Sequence, residues 1–224
     1  GHVDVGCFEW DSSPYWVRRV SQARAVPRSS TIELRGKAVS AVFSGAFYVE
    51  DYNRTAGIRV ASAASVSLGN LAAFAGTIGL NVNEELAVTA TGVTVMQGSV
   101  ENVPREVGMA NWCVGGGGYF FSLDPEERGQ PGLVYGIGLN NIGLLVKIWG
   151  NVTGRGADWF AVDDGSEVDD GYDPIGVEVS VPAGVTPPKE GEYVSVTGVS
   201  SCVETGGEVL GVLLVRDAGD IRSL

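Results

Sequence analysis

Short runs of alternating apolar and polar residues, broken by glycine-rich turns, dominate the chain from Thr31 onward. Phe47-Tyr48-Val49-Glu50-Asp51 is followed by the glycine-led run Gly57-Ile58-Arg59-Val60. A short apolar run, an acidic turn and an alternating run together predict two antiparallel strands joined by a loop. The pattern returns about a hundred residues later as Phe160-Ala161-Val162-Asp163-Asp164, then Gly176-Val177-Glu178-Val179. The echo extends to both sides. Leu34-Arg35-Gly36 stands before the first copy and Ile148-Trp149-Gly150 before the second. Downstream, the Gly69 to Gly76 spacing matches Gly191 to Gly198, and Glu85-Leu86 and Glu208-Val209 each open a further apolar run. Elements recurring in one order define an internal duplication.

The first copy predicts strands near 31–43, 46–51, 56–61, 70–79 and 84–96, with Gly36 and Gly76 where a barrel strand must bend or bulge. Five strands in this order resemble an OB-fold, a five-stranded Greek-key barrel. The expected class is therefore all-β, with two tandem OB-fold-like five-stranded barrels behind a short N-terminal arm and helix. The expected organisation is 1–30 for the arm and helix, 31–100 for the first barrel, 101–142 for a Gly-rich connector and 143–224 for the second barrel. The motif around Leu34-Arg35-Gly36, Phe47 to Asp51 and Gly57 to Val60, with Gly138 to Val146 leading into the second copy, resembles tandem OB-type modules of secreted bacterial proteins. That resemblance covers about residues 20–222; it implies no particular activity.

Residues 1–30 lie outside the repeat and are dense in large apolar side chains, among them Phe8, Trp10, Tyr15 and Trp16. Exposing these costs about 25 cal/mol per Å² of apolar surface, so a cover is expected. Ser13-Pro14 reads as a helix start, with the helix running to Ala25 before Pro27. One reading packs this helix over its own barrel. The other makes the segment an arm reaching a partner, with Val3, Val5, Phe8 and Trp10 as its contacts and Val3, Val5 and Phe8 reading as an added strand.

Composition narrows the function classes. The chain has 224 residues and a formal net charge of −12, with basic residues scattered except at Arg18-Arg19. A nucleic-acid groove needs clustered cations to release counterions, so nucleic acid is an unfavoured partner. No apolar run approaches the length of a membrane span. A nucleophilic triad needs a base, and the single histidine is His2. Glu50 and Asp51 are adjacent, point to opposite faces of a strand and cannot form a glycosidase pair. No enzyme activity is expected. Gly115 to Gly118 lacks the lysine of a phosphate loop and reads as a connector.

Several residues remain as candidates. The expanded loop 163–173 carries six carboxylates. Calcium takes oxygen ligands of this kind, which makes Asp163, Asp164, Asp169 and Asp170 a weak Ca²⁺ set, although the spacing does not fit an EF-hand. The alternative is a solvated hairpin loop with no cofactor. Asn53 and Asn151 fit the N-glycosylation pattern. Three cysteines, none in a metal-binding spacing, are expected to give one disulfide, Cys113 with Cys202, leaving Cys7 free or paired between molecules. Tyr48, Trp149 and Trp159 are the aromatics available for a ligand face on strands two and three of an OB barrel; packing is their other reading. The expected function is thus a secreted or cell-surface structural protein, whose partners are copies of itself in a filament or coat. The alternative is a module binding carbohydrate or, less readily, single-stranded nucleic acid.

Overall fold

The computed structural model describes residues 14–119, 128–169 and 173–224. Its strands form two sheets, each closed on itself. In the first, β2 (Thr31–Phe43), β3 (Ala46–Glu50), β4 (Gly57–Ala61), β5 (Leu71–Leu80) and β6 (Leu86–Met96) occupy the five predicted positions. The spatial order is β2-β3-β4-β6-β5, and β5 returns to pair with β2. All pairings in this ring are antiparallel except β4 with β6, which run parallel. The second barrel repeats the plan with β8 (Leu145–Arg155), β9 (Trp159–Asp163), β10 (Val177–Ser180), β11 (Tyr193–Thr205) and β12 (Glu208–Leu214). Here β10 and β12 are the parallel pair, and β11 closes onto β8. The protein is all-β and built of two tandem OB-like barrels.

The repeated glycines mark where the strands depart from regular pairing. Gly36, at φ +64°, lies inside a register shift between β2 and β5, and a second shift falls at Ala75/Gly76. A bulge at such a point bends a strand sharply enough to serve two neighbours. β2 accordingly pairs with β5 through its first half and with β3 through its second.

Inward positions fill each barrel. Ile32, Leu34, Phe47, Val49, Ile58 and Phe74 belong to the first core, and Val146, Ile148, Phe160, Val162, Val179 and Val196 to the second. A short strand precedes each barrel and lies parallel to its first strand. β1 (Tyr15–Trp16) pairs with Ile32 and Glu33, and β7 (Val107–Gly108) with Val146 and Lys147. Each covers backbone groups that the bent first strand would otherwise leave unpaired.

The N-terminal helix is much shorter than the sequence suggests. Tyr15 and Trp16 are extended, and α1 covers only Val20–Ala23, starting after Arg19 instead of Ser13. The reason is tertiary. Asp51 accepts hydrogen bonds from the Val20 and Ser21 amides at 2.9 and 3.4 Å, supplying a cap from the acidic turn of the first barrel. Lys37 holds the other oxygen of Asp51 at 2.6 Å. No helix among the described residues is long and apolar enough to cross a membrane.

Candidate functional site

The outward face of β3 and β4, where an OB barrel takes its ligand, is covered in the first barrel. All of β3 is buried, on both its inner and outer faces. Tyr48 points outward into a third apolar cluster with Ala41 from its own barrel and Leu145 and Val199 from the second. Phe43 meets the Tyr48 ring edge-on at 5.8 Å. Of its two readings, ligand aromatic or packing, Tyr48 takes the packing role here: the second barrel occupies the position a ligand would take. The sequence shows an aromatic on an outward strand position but not what lies opposite.

Polar groups close this junction. The Tyr48 hydroxyl donates to Glu85, 2.8 and 3.0 Å from its two oxygens, and accepts from Arg59 Nη1 at 3.0 Å. Ser201 Oγ of the second barrel stands 3.5 Å from the same hydroxyl. Burial pushes the Glu85 carboxyl above its ordinary range, against the opposing pull of Arg59. Glu50 accepts from the Leu145 amide across the junction at 2.8 Å, while its second oxygen meets no hydrogen-bond partner among the described residues. Desolvation raises Glu50 to about 7, and the Leu145 hydrogen bond only partly offsets it. Arg216, clamped by Asp220, donates to the Ser40 carbonyl at 3.0 Å. Gln130 of the connector is fully buried; it accepts from the Leu86 amide at 2.6 Å and donates to the Glu84 carbonyl at 2.9 Å. Sequence reasoning missed Gln130, Arg59 and Glu85 as junction residues, because nothing local distinguishes a glutamine in a connector or an acid in a turn.

The cysteines do not pair. Cys113 and Cys202 are both free thiols, which overturns the expected disulfide. They serve different surroundings. Cys202 is buried at the junction and donates to the Asn83 carbonyl at 3.3 Å. Burial, reinforced by the Glu85 and Glu84 carboxylates, pushes its thiol upward and makes it unreactive. Cys113 ends a single helical turn, Asn111–Cys113, and lines an open groove. Cys7 lies outside the described residues.

The remaining candidates separate. Trp149 and Trp159 are both partly exposed but stand at opposite ends of their sheet face: Trp159 pairs with Ser180, and Trp149 lies beyond the point where Asn151 meets Asp163. They form no joint platform. Trp149 instead shares an outer face with Tyr193, since β11 sets Ser195 opposite Trp149 and Tyr193 opposite Asn151. Asn53 and Asn151 are exposed, as a glycan acceptor must be. In the acidic loop, Asp163 accepts from the Glu167 amide, and Asp164 from the Ser166 and Asn111 amides. These oxygens fasten the loop, and among the described residues no group of three acidic or other metal-binding side chains converges. Asp170 of the weak calcium set lies outside the described residues.

The most distinctive surface is on the connector. Gly115 and Gly116, both at positive φ, begin a compact turn in which the Leu133 amide donates to Gly116 and the Asn141 amide to Gly115. This turn presents a loop whose Tyr135, Ile137 and Leu139 are 82%, 47% and 91% exposed, beside Trp112 at 55%. Ile137 is a shared wall between two concavities. One, of about 160 Å³, lies between Trp112, Tyr135 and Val168 at the end of the second barrel. The other, of about 600 Å³, is lined by Val107, Met109, Cys113, Leu139 and Leu144, with Arg54 at its rim. Grouped large apolar side chains of this kind mark a contact surface on a folded protein. No known family model matches the chain, and no curated protein matches it.

Proposed function

We propose that this chain is a non-catalytic structural protein, secreted or displayed at a cell surface, that assembles with copies of itself through its N-terminal segment. The observation that carries this reading is the exposed apolar face of the connector, formed by Trp112, Tyr135, Ile137 and Leu139. The buried first-barrel face adds support, because the main OB ligand surface is already spent on joining the two barrels. A two-barrel unit with a reaching arm and a separate acceptor face makes head-to-tail contacts, which grow into rings or open polymers. Exposure of Asn53 and Asn151 suits an extracellular setting, to be checked by glycan mass spectrometry of the native protein.

The test is particle mass at several protein concentrations, by light scattering with negative-stain imaging, for the full chain and for a chain lacking residues 1–12. Ordered particles that disappear with the deletion are the expected result; a monomer at every concentration overturns the reading. One observation favours the carbohydrate-binding alternative. Trp149 and Tyr193, both half-exposed, share one outer face of the second barrel. Glycan binding by a monomer, lost in Trp149→Ala, would replace assembly as the function.

A further inference from the structure

We propose that the groove beside Cys113 is the acceptor for the N-terminal segment of a second copy, and that docking brings Cys7 of one molecule to Cys113 of the next. This inference rests on the self-assembly reading and names its contact. The groove is an apolar trough of about 600 Å³ whose walls include Val107, Met109, Ile137, Leu139 and Leu144. Leu139 and Ile137 are left in water by the rest of the described chain. Covering them is worth about 25 cal/mol per Å² of apolar surface removed from water.

The occupant follows from the chain's own sequence. Residues 1–13 carry Val3, Val5, Cys7, Phe8 and Trp10 ahead of the first described strand, β1. Side chains alternate along an extended segment, so Val3, Val5 and Cys7 would share one face. That face offers aliphatic groups and one thiol to a trough whose walls pair aliphatic groups and one thiol with the polar Thr55, Asn140 and Asn141. The adjoining cavity of about 160 Å³ is close to the roughly 150 Å³ that takes a single benzene ring, a match for Phe8. Charge agrees at the groove itself, although Asp169 lines the adjoining cavity. The segment bears Asp4, Glu9 and Asp11, and Arg54 stands at the rim of the groove. At about 3.3 Å per residue, an extended segment of this length reaches on the order of 40 Å, enough to bridge to a neighbouring molecule.

The two thiols supply a test that reports the contact itself. Full-length Cys7→Ser and Cys113→Ser chains are mixed and treated with a short bismaleimide, which joins two thiols without an oxidant. Cys202 is buried and stays silent. The expected result is a cross-linked dimer in the mixture and in the wild type, and none in either variant alone. Cross-linking confined to single wild-type molecules would overturn the proposal by placing the segment on its own chain. Particles that form normally without any Cys7–Cys113 product would overturn this acceptor while leaving self-assembly standing. Absence of particles altogether would remove both. A second variant avoids the thiols. Leu139→Glu alters an exposed side chain and leaves the fold intact; it is expected to raise the concentration for half-assembly roughly tenfold or more, as loss of a central apolar contact does. An unchanged assembly curve would count against the groove.

Discussion

The same outward face is put to different use in the two barrels. Phe47 and Phe160 fill equivalent core positions, and the next residue on each strand turns outward. In the first barrel that residue is Tyr48, whose ring is buried by the second barrel and whose hydroxyl anchors Glu85. In the second it is Ala161, also buried but outside the junction cluster, with the exposed Glu178 opposite it and the partly exposed Trp159 two residues before it. The acids opening the last strands diverge likewise: Glu85 is buried in the junction, whereas Glu208 is exposed. Duplication supplied two copies of one surface, and packing made one of them structural. A face defined by topology is thus a ligand face only where nothing else has been laid on it.

The sharpest way to break this comparison is to empty the buried face. Tyr48→Ala removes a fully buried ring and strands Glu85, with an expected cost of about 4 kcal/mol read from the urea midpoint. On the more exposed face of the second barrel, Trp159→Ala is expected to cost about 1 kcal/mol, the range for a partly exposed side chain. Equal losses would mean that the two faces are not different in kind.

Glu50 gives the next largest effect. Its folded pKa, about 7, lies above the ordinary value of 4.5. Between those values the folded state holds the proton more tightly, so the stability tied to Glu50 is complete below about pH 4.5 and is lost as pH rises through 7. The full shift corresponds to a loss on the order of 3 kcal/mol. Glu85 shifts in the same direction. The informative quantity is therefore the difference between wild type and Glu50→Gln, whose unfolding free energy should fall less between pH 5 and pH 8. Parallel curves would deny Glu50 its place as a buried clasp.

Gly57→Ala is expected to cost about 2 kcal/mol, measured by thermal unfolding. A Cβ at Gly57 would stand 1.9 Å from the Gly143 carbonyl oxygen, so the backbone leading into the second barrel must retreat. The matching position in the second barrel, Gly176, is crowded instead by Val162 of its own β9. Gly57→Ala should accordingly loosen the junction, and Gly176→Ala only its own barrel, a difference visible in hydrogen exchange of the Leu145 amide.

Much of the fold was legible because it is written locally. Alternation placed the strands, glycine spacing placed the bends at Gly36 and Gly76, and the echo of Phe47 to Asp51 in Phe160 to Asp164 paired the barrels. The site was far less legible. Tyr48 stayed open between a ligand and a packing role because periodicity reports which face a side chain takes and never what covers it. Cys113 and Cys202 invited a disulfide by count alone, whereas geometry sends one to an open groove and the other to Asn83. The capping signal at Ser13-Pro14 was outweighed by Asp51, a distant carboxylate that fixed the helix start at Val20.

What the sequence by itself determined is the part governed by neighbours along the chain: an all-β plan, a duplication, strand positions, and an N-terminal segment rich in large apolar groups. Only the tertiary structure decided that the two barrels join through the face carrying Tyr48, that Gln130 seals the junction, and that the other described residues leave Ile137 and Leu139 exposed. The reason is that burial, desolvation and cavity shape are properties of groups far apart in sequence. Their energies depend on the chain segment that arrives opposite, which no local pattern records.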